Sequence, residues 1–508
     1  MQFLSSPYLR RCAQLAGLAT VCSLLLIWAG CGEYYRPVAY PIAPPAPNPG
    51  FSHEAFVISA NGINNAGAST TIDVSGDTAI SQSQVGLLPT YAALVDNATR
   101  VYVANSAEDT VSEFAPLSAT PVTTIDLPAG SSPNFVASTE TTSVYVANIG
   151  NGTVSAISIA NNVLTNTIPV GGSPVSLAEL ANRQKVYVAN SATATGNGSV
   201  VSINTIDMSV NLPIIASTTA PWVSPAWVVC RSDSQRAYVL DKGSGFVSAI
   251  DTNFDTVVGT PVSVGVGADF MIYDPILTRL YVTNPATNTV LALDASTDTL
   301  NALTASVANP VSVAALPDGT RAYIASTAVS GTVPNQTVAS SVTVLNTADL
   351  SVRTTIALSS VPVLCATRTW SELSIAASAE SSRVYVGNCD AENTDVIQTS
   401  NDTLLLQIAA PFGQPPTVSI TAALLGGSNT TYTYSLISGL PLKIGMSIAI
   451  TGMANAGNNG TFTVTSLGPG MFTVANPSGV TANNQTGTGI VSAVPPPSQT
   501  PVFVFAGP

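Results

Sequence analysis

The chain has 508 residues, of which 46% are hydrophobic and only 8% are charged. The 15 Lys and Arg residues and 28 Asp and Glu residues give a formal net charge of −13, and no basic run occurs along the chain. A phosphate backbone would be repelled by this charge, so we expect no nucleic-acid partner. The surface must be covered mainly by Ser, Thr, Asn and Gly, unlike that of an ordinary cytosolic protein.

Residues 1–31 have the pattern of a bacterial lipoprotein-type export signal. Arg10 and Arg11 precede the largely apolar stretch 13–30, which ends in the sequence WAGC at Cys31. This ending resembles a lipobox, with Trp where Leu is usual, and it makes Cys31 the predicted lipidation site. The alternative is an uncleaved signal anchor, since the apolar stretch almost spans a bilayer. Either way, we expect an extracytoplasmic, membrane-anchored protein in the periplasm or at the cell surface.

Residues 32–50 are rich in proline and lack apolar periodicity, which predicts a stiff tether between the membrane and the folded body. His53, the single histidine of the chain, stands at the end of this tether. A Ser-His-Asp or Cys-His catalytic arrangement, or a His/Cys metal cluster, would depend on that one position. We therefore expect neither enzymatic activity nor a cofactor.

The same short strand sequence recurs along the body of the chain. Its tyrosines are Tyr102, Tyr145, Tyr187, Tyr238, Tyr281, Tyr323 and Tyr385, with successive spacings of 43, 42, 51, 43, 42 and 62. Each unit contains four short strands rich in Val, Ile, Thr and Tyr, separated by Gly, Asn and Pro. This is the pattern of a β-propeller blade, and no segment between the strands suits a crossover helix.

The strands VYVAN and LYVTN, followed by NTV and LDASTDTL, resemble the YVTN-type β-propeller repeat family. The resemblance covers roughly residues 51–411. It implies an all-β propeller of seven blades, and family members are mostly extracytoplasmic or surface proteins. The sequence itself contains eight units, so we expect seven or eight blades.

The eighth unit is a degenerate one around Phe56, which lacks its first strand. Residues 501–505, PVFVF, form a lone strand at the other end of the chain, and we expect it to complete the first blade. The alternative is that this strand pairs elsewhere.

If the final strand completes the first blade, the folded body has three parts. They are a propeller over 51–413, a small inserted β-domain over 414–496 and the closing strand within 497–508. The inserted segment lacks the tyrosine strand but contains the strand-like stretches KIGMSIAITGM, GTFTVTSL and MFTVANP.

Three cysteines follow the lipobox. Cys365 and Cys389 fall in the same repeat and are candidates for a disulfide in an oxidising compartment. Cys230 is then left as a small buried apolar residue.

The two long spacings place a candidate binding face. They arise from extra residues after the tyrosine strand and before the next blade. Because successive strands of a blade alternate in direction, all of these extensions lie on one face of the propeller. Trp222, Trp227 and Trp370 sit in these extensions, so we expect them to form an exposed binding surface for an envelope protein or a polysaccharide. The alternative is that the indoles fold back and fill the extra loop volume.

Polar residues that recur in the repeat have a structural interpretation. The acidic pairs Asp251 with Asp255 and Asp294 with Asp298 fall between the third and fourth strands, where Asp stabilises turns. The asparagines that end the tyrosine strands have the same interpretation; they are Asn105, Asn148, Asn190, Asn284 and Asn388.

Together these patterns predict a lipid-anchored propeller that acts as a non-catalytic binding or scaffolding protein at the cell envelope. A structural surface-layer component is the first alternative, and a propeller enzyme of the lactonase or quinoprotein type is the second.

Overall fold

The computed structural model describes residues 54–95, 99–116, 122–139, 142–193, 196–332, 336–365, 372–491 and 497–507. Eight separate antiparallel sheets follow one another along the chain, seven with four strands and one with three, and a closed barrel lies between the last two propeller strands. The protein is therefore an eight-bladed β-propeller with an inserted barrel, and the predicted all-β class is confirmed. Within the described residues, no helix has the length and apolar character needed to span a bilayer.

The strands of blades 1 to 4 are defined as follows. Blade 1 contains β1 (Glu54–Ala60), β2 (Ala66–Asp73) and β3 (Thr78–Leu87), together with the final strand β37 (Thr500–Ala506). Blade 2 contains β4 (Pro89–Val95), β5 (Arg100–Asn105), β6 (Thr110–Phe114) and β7 (Thr123–Asp126). Blade 3 contains β8 (Pro133–Ala137), β9 (Ser143–Asn148), β10 (Thr153–Ser158) and β11 (Val163–Pro169). Blade 4 contains β12 (Gly172–Glu179), β13 (Lys185–Thr193) and β14 (Ser199–Asn204).

Blades 5 to 8 each have four strands. Blade 5 contains β15 (Pro225–Cys230), β16 (Arg236–Asp241), β17 (Phe246–Asp251) and β18 (Thr256–Ser263). Blade 6 contains β19 (Phe270–Asp274), β20 (Arg279–Asn284), β21 (Thr289–Asp294) and β22 (Ala302–Ser306). Blade 7 contains β23 (Pro310–Ala315), β24 (Arg321–Ser330), β25 (Thr337–Asn346) and β26 (Val352–Pro362). Blade 8 contains β27 (Leu373–Ala377), β28 (Arg383–Asn388), β29 (Asn393–Gln398) and β30 (Thr403–Ala409).

The ring is closed by pairing the two ends of the body in blade 1. Strand β37 lies antiparallel to β1, with Phe56 opposite Phe505 and Val57 opposite Val504. The rings of Phe56 and Phe505 stack with their centroids 4.9 Å apart. Strand β37 occupies the innermost position of blade 1, where it packs against the first strands of blades 2 and 8 and covers the inner edge of β1. This is the closure that the sequence predicts.

Blade 4 departs from the four-stranded pattern at its outer edge. The segment after β14 makes a bridge between Ile203 and Val210 and two further backbone bonds, from Asn211 N to Ser202 O and from Ile214 N to Val200 O. Pro213 interrupts the segment because it has no N–H to donate. The edge of β14 is thus covered by an irregular segment instead of a regular fourth strand.

The tyrosine strands are the most deeply buried part of each blade. In β5 and β9, for example, the five residues after the first are all buried, so both faces of the strand are covered by neighbouring blades. A strand buried on both faces needs a continuous apolar run, which explains the repeated sequence and the low charge content.

The tyrosines also connect neighbouring blades through their hydroxyl groups. The Tyr187 hydroxyl of blade 4 donates to Asp255 Oδ1 in blade 5 at 2.5 Å, and Lys185 Nζ contacts Asp255 Oδ2 at 2.9 Å. In each such link, the tyrosine of a blade's second strand, or the Lys or Arg two residues before it, contacts the next blade. The contact is made at the turn between the third and fourth strands of that blade. The described links of this kind join Arg100 and Tyr102 to Asn162, Lys185 and Tyr187 to Asp255, Arg236 to Asp298, Tyr238 to Ala295, Arg279 to Thr347, Arg321 and Tyr323 to Asp402, and Arg383 and Tyr385 to Asp77.

The tyrosine hydroxyls remain protonated donors in these links. Burial raises the pKa of Tyr238 to about 12, and its hydroxyl donates to the carbonyl of Ala295 at 3.0 Å. The link from Arg383 to Asp77 joins blade 8 to blade 1, so the ring closes through side chains as well as through β37.

The inserted domain is a closed six-stranded barrel. Its strands are β31 (Thr417–Gly426), β32 (Asn429–Ser438), β33 (Ser447–Thr451), β34 (Gly460–Gly468), β35 (Met471–Ala475) and β36 (Gly487–Val491), with a short 3₁₀ helix, η1 (Ala456–Asn458). They pair in the order β31-β32-β35-β34-β33-β36. Tyr432 and Phe472 stack at 5.2 Å inside the barrel, where alternate strand residues form a core separate from that of the propeller.

We predict that the links between blades dominate the stability of the ring. Asp402 accepts from Arg321 at 2.6 Å, from the Tyr323 hydroxyl at 2.5 Å and from Arg353 at 2.6 Å. Replacing Asp402 by Ala should lower the free energy of unfolding by about 2 kcal/mol, because it leaves the partly buried guanidinium of Arg321 and the Tyr323 hydroxyl without their shared carboxylate. Thermal and denaturant unfolding followed by circular dichroism measure this loss.

The matched control is Asp349→Ala. Asp349 is exposed in the corresponding turn of blade 7 and bonds only within that turn, to the amide and hydroxyl of Ser351. Its loss should cost less than about 1 kcal/mol. Equal destabilisation by the two substitutions would show that links between blades do not control stability.

Candidate functional site

The propeller has two unlike faces. The front face carries the turns between strands two and three and the connections between blades, whereas the back face carries the other two sets of turns. On the front face, Asp109 in a turn of blade 2 accepts from the amides of Gly130 and Ser132 in the next connection, each at 2.7 Å. Turns and connections therefore brace one another there.

Aromatic rings close the central axis. The strand registers place Tyr91, Phe135, Ser176, Trp227, Phe270, Ser312, Ser374 and Phe503 at the equivalent position of the eight innermost strands. Tyr91 stacks on Phe135 at 4.0 Å and on Phe503 at 4.1 Å, while Trp227 meets Phe135 at 5.4 Å and Phe270 at 4.8 Å in edge-to-face geometry. The aromatic rings of blades 1, 2, 3, 5 and 6 thus contact one another around the axis.

The serines of the same layer bind backbone groups of the next blade. Ser176 Oγ accepts from Val228 N at 3.2 Å, and Ser374 Oγ accepts from Val504 N at 3.1 Å. A small side chain at these positions leaves room for the large rings of the other blades, so aromatic and serine residues fill the layer together.

A cavity of 270 Å³ lies beside this aromatic layer, on the front-face side of blades 3 to 6. Phe135 and Trp227 form its apolar wall. Its polar lining comes from Asn134, Ser191, Ser224, Lys242 and Asp269. Ser191 and Ser224 belong to the two blade 4 extensions that the sequence assigns to one face, so these extensions border the same cavity.

A charged pair stands at the cavity. Lys242 Nζ lies 2.6 Å from Asp269 Oδ1, with the lysine more exposed than the carboxylate. The backbone holds both residues, since Gly267 N donates to Lys242 O at 3.0 Å and Trp227 Nε1 donates to Asp269 O at 2.6 Å. The two charges cancel, so the lining offers donors and acceptors without a net charge.

Asn134 also lines the cavity. Its Nδ2 donates to Val175 O at 3.2 Å, and this bond links blade 3 to blade 4. Its Oδ1 is buried and has no hydrogen-bond partner among the described residues. Leaving a buried amide oxygen unpaired costs free energy.

The predicted exposure of the indoles is wrong for Trp222 and Trp227, whose exposed fractions are 8% and 6%. Trp222 folds back and donates from Nε1 to Ile214 O at 2.9 Å, because blade 4 has no regular fourth strand to fill that space. Trp227 lies in strand β15 instead of a loop and faces the axis. It still lines the cavity. Trp370, Cys31 and His53 lie outside the described residues.

The cysteines form one disulfide and one free thiol among the described residues, and the predicted burial of Cys230 is only partial. Cys365 and Cys389 form a disulfide with their Cα atoms 6.2 Å apart, and it joins the connection before blade 8 to a front-face turn of that blade. Cys230 is a free thiol. Burial raises its pKa, so it remains protonated and its Sγ lies 3.6 Å from Ala178 O.

The recurring polar residues have structural partners. Asn105 Nδ2 donates to Thr110 and Ser112 across the front-face turn at 3.0 and 2.9 Å, and the other four strand-ending asparagines are also fully buried. The acidic pairs lie in back-face turns, as predicted. Asp251 and Asp298 contact Arg236, Asp255 contacts Lys185, and Asp294 contacts Ser296.

Sequence reasoning missed Lys242, Asp269 and Asn134. Each comes from a different blade, and only the ring brings them together. One sequence clue was present, because several first strands share the pattern proline, any residue, aromatic, as in PTY, PNF, PAW and PVF. That pattern marks the residues that reach the axis.

No protein-family model matches the chain, and no curated protein matches it. Among solved structures, apo AztD from Citrobacter koseri is similar at 10% identity, covering 72% of this chain and 96% of that chain with a TM-score of 0.52. Another structure of Citrobacter koseri AztD has 10% identity, the same coverage and a TM-score of 0.51. Kuenenia stuttgartiensis hydrazine synthase has 14% identity, coverage of 64% and 98%, and a TM-score of 0.43. At these identities the similarity is one of fold alone.

The burial of the indoles predicts the emission of the protein. In residues 32–508 carrying Trp370→Phe, only Trp222 and Trp227 remain, and we expect blue-shifted emission that iodide quenches weakly. Intrinsic fluorescence with and without iodide measures this directly. Red-shifted, strongly quenched emission would contradict the packing of both indoles.

Proposed function

We propose that the protein is exported, lipidated at Cys31 and held at the cell envelope as a non-catalytic binding protein. The lipobox-like ending of the leader supports the anchor, and the disulfide between Cys365 and Cys389 is consistent with an oxidising compartment. The resemblance to the YVTN-type repeat family supports an extracytoplasmic location.

The cavity beside Trp227 carries the binding proposal. It joins an apolar aromatic wall to two serine side chains, the amide side chain of Asn134 and an ion pair whose two charges cancel. This combination suits a small neutral ligand that has one apolar face and several hydroxyl groups. We propose that the ligand is a terminal sugar residue of an envelope polysaccharide, because a cavity of 270 Å³ lies near the lower end of the size range of ligand sites.

The anchor is tested with the full chain produced in a bacterium fed an alkyne-tagged fatty acid. We expect the tag on the wild-type protein and its loss in Cys31→Ser, with release of the protein from the membrane fraction. Cys230→Ser is the matched control and should keep the tag, since Cys230 is a half-buried thiol. Equal labelling of Cys31→Ser and wild type would refute the anchor.

Ligand binding is tested with oligosaccharides released from the envelope by mild acid, added to residues 32–508 carrying Trp370→Phe. Because Trp227 lines the cavity, we expect a saturable change in its emission. Asn134→Leu should weaken binding at least tenfold, because it replaces a polar side chain of the cavity lining by an apolar one. Lys242→Met should do the same by leaving Asp269 without its cation.

Val352→Ser is the control variant, since Val352 is exposed at the start of β26 on the back face. It should bind like the parent protein. A cavity variant that binds as tightly as this control would place the ligand elsewhere, and no emission change with any oligosaccharide would reject a sugar ligand.

A further inference from the structure

The charged pair at the cavity, Lys242 with Asp269, departs from the blade repeat. Asp269 directly precedes Phe270, the residue that blade 6 places at the axis, and in each other blade the corresponding residue is uncharged, as Thr90 is in blade 2. Lys242 stands four residues after the tyrosine of blade 5, and the corresponding residue is again uncharged in each other blade, as Ser106 is in blade 2. The repeat therefore does not require this pair, which lies where blades 5 and 6 border the cavity.

The pair has hydrogen-bonding capacity that the protein does not use. Among the described residues, Lys242 Nζ contacts only Asp269 Oδ1, and Asp269 Oδ2 accepts no hydrogen bond. An ammonium group has more donors, and a carboxylate more acceptors, than this single contact occupies. The back-face pairs differ in this respect, since Asp255 accepts from Tyr187 at 2.5 Å and from Ser202 at 2.8 Å in addition to its lysine. Both partners of the cavity pair can thus bind a ligand while they remain paired.

The backbone fixes the position of the pair before any ligand binds. Lys242 N donates to Ser224 O at 3.0 Å, and Asp269 N donates to Thr283 O at 3.1 Å. The turn that carries the lysine is capped by the buried carboxylate of Asp241, which accepts from the amide of Ser224 at 3.0 Å. Little conformational freedom is therefore lost when a ligand contacts the pair.

We propose that the pair determines the specificity of the cavity by binding two neighbouring hydroxyl groups of a neutral sugar. This inference rests on the proposed sugar ligand. One hydroxyl oxygen accepts from Lys242 Nζ, and the hydroxyl on the adjacent ring carbon donates to the Asp269 carboxylate. The oxygens of two gauche hydroxyls lie about one hydrogen-bond length apart, which matches the 2.6 Å between Nζ and Oδ1.

The same contacts explain why the cavity discriminates between sugars. Both hydrogen bonds are charge-assisted, and the ion pair stays intact, so neither charge is left alone beneath the ligand. The apolar face of the sugar packs on the wall formed by Phe135 and Trp227. A sugar that lacks either hydroxyl displaces water from the pair without replacing its hydrogen bond, so it binds more weakly.

The test compares sugars that differ by one hydroxyl group. The full chain in detergent micelles is titrated with the methyl glycosides of mannose, galactose and glucose and with the monodeoxy derivatives of each, and ligand-observed NMR gives the dissociation constants. We expect at least one of the three complete glycosides to bind. Loss of either hydroxyl of one neighbouring pair should then weaken binding at least about fivefold, and loss of a hydroxyl elsewhere less than about twofold.

Two variants assign the two hydroxyl groups. Asp269→Ala removes the acceptor, so loss of the hydroxyl that donates to it should then change the affinity less than about twofold. Lys242→Met should have the same effect for the other hydroxyl. Asp349→Ala is the matched control, because it removes an exposed carboxylate from a back-face turn of blade 7, and it should discriminate between the sugars as the wild-type protein does.

The outcomes separate this inference from the proposed function. Failure of all three glycosides to bind would overturn the sugar ligand and this inference with it. Binding of a glycoside without selective loss on removal of two neighbouring hydroxyls would overturn this inference alone. It would also be overturned if the two cavity variants weakened complete and deoxy sugars by the same factor, because an ion pair that only supports the fold has that effect.

Discussion

The ring depends on one repeated interaction. The tyrosine of a blade's second strand, together with the Lys or Arg two residues before it, contacts the next blade. A four-stranded blade cannot bury both of its faces alone, so each blade is stable only against its neighbours. The apolar body of the tyrosine fills the space between blades, and its hydroxyl satisfies a polar group at the next turn, as Tyr187 does with Asp255. The tyrosine thus packs between two blades and also fixes their position relative to each other.

The link also explains where the few charges of the chain are found. Arg321 and Arg353 converge on Asp402, and Arg383 pairs with Asp77 across the closure of the ring. These pairs lie near the back face, and most of their side chains are partly or fully buried. The front face is supported by buried asparagines and by backbone capping instead, which leaves its connections free to vary in length.

The cavity arises beside one of the two longest spacings between tyrosine strands. Blade 4 lacks a regular fourth strand and has long connections, and Trp222 folds back to cover the gap. Beside it, the aromatic layer lines the axis, and Phe135 and Trp227 of that layer form the apolar wall of the cavity. A rigid base under variable loops is a common way to build a binding site on a propeller.

The sequence by itself determined the repeat, the all-β class, the eight units, the closing strand and the disulfide pair, because each follows from local periodicity or from residues in one repeat. Local sequence patterns do not predict the position of the Trp227 side chain. The residues around it resemble a loop and suggested exposure, but the strand register turns the side chain to the axis. The tertiary structure alone decided that Asn134, Lys242 and Asp269 share one cavity, since they come from three blades that meet only when the ring closes. Periodicity fixes strands, whereas the convergence of distant side chains depends on packing between blades.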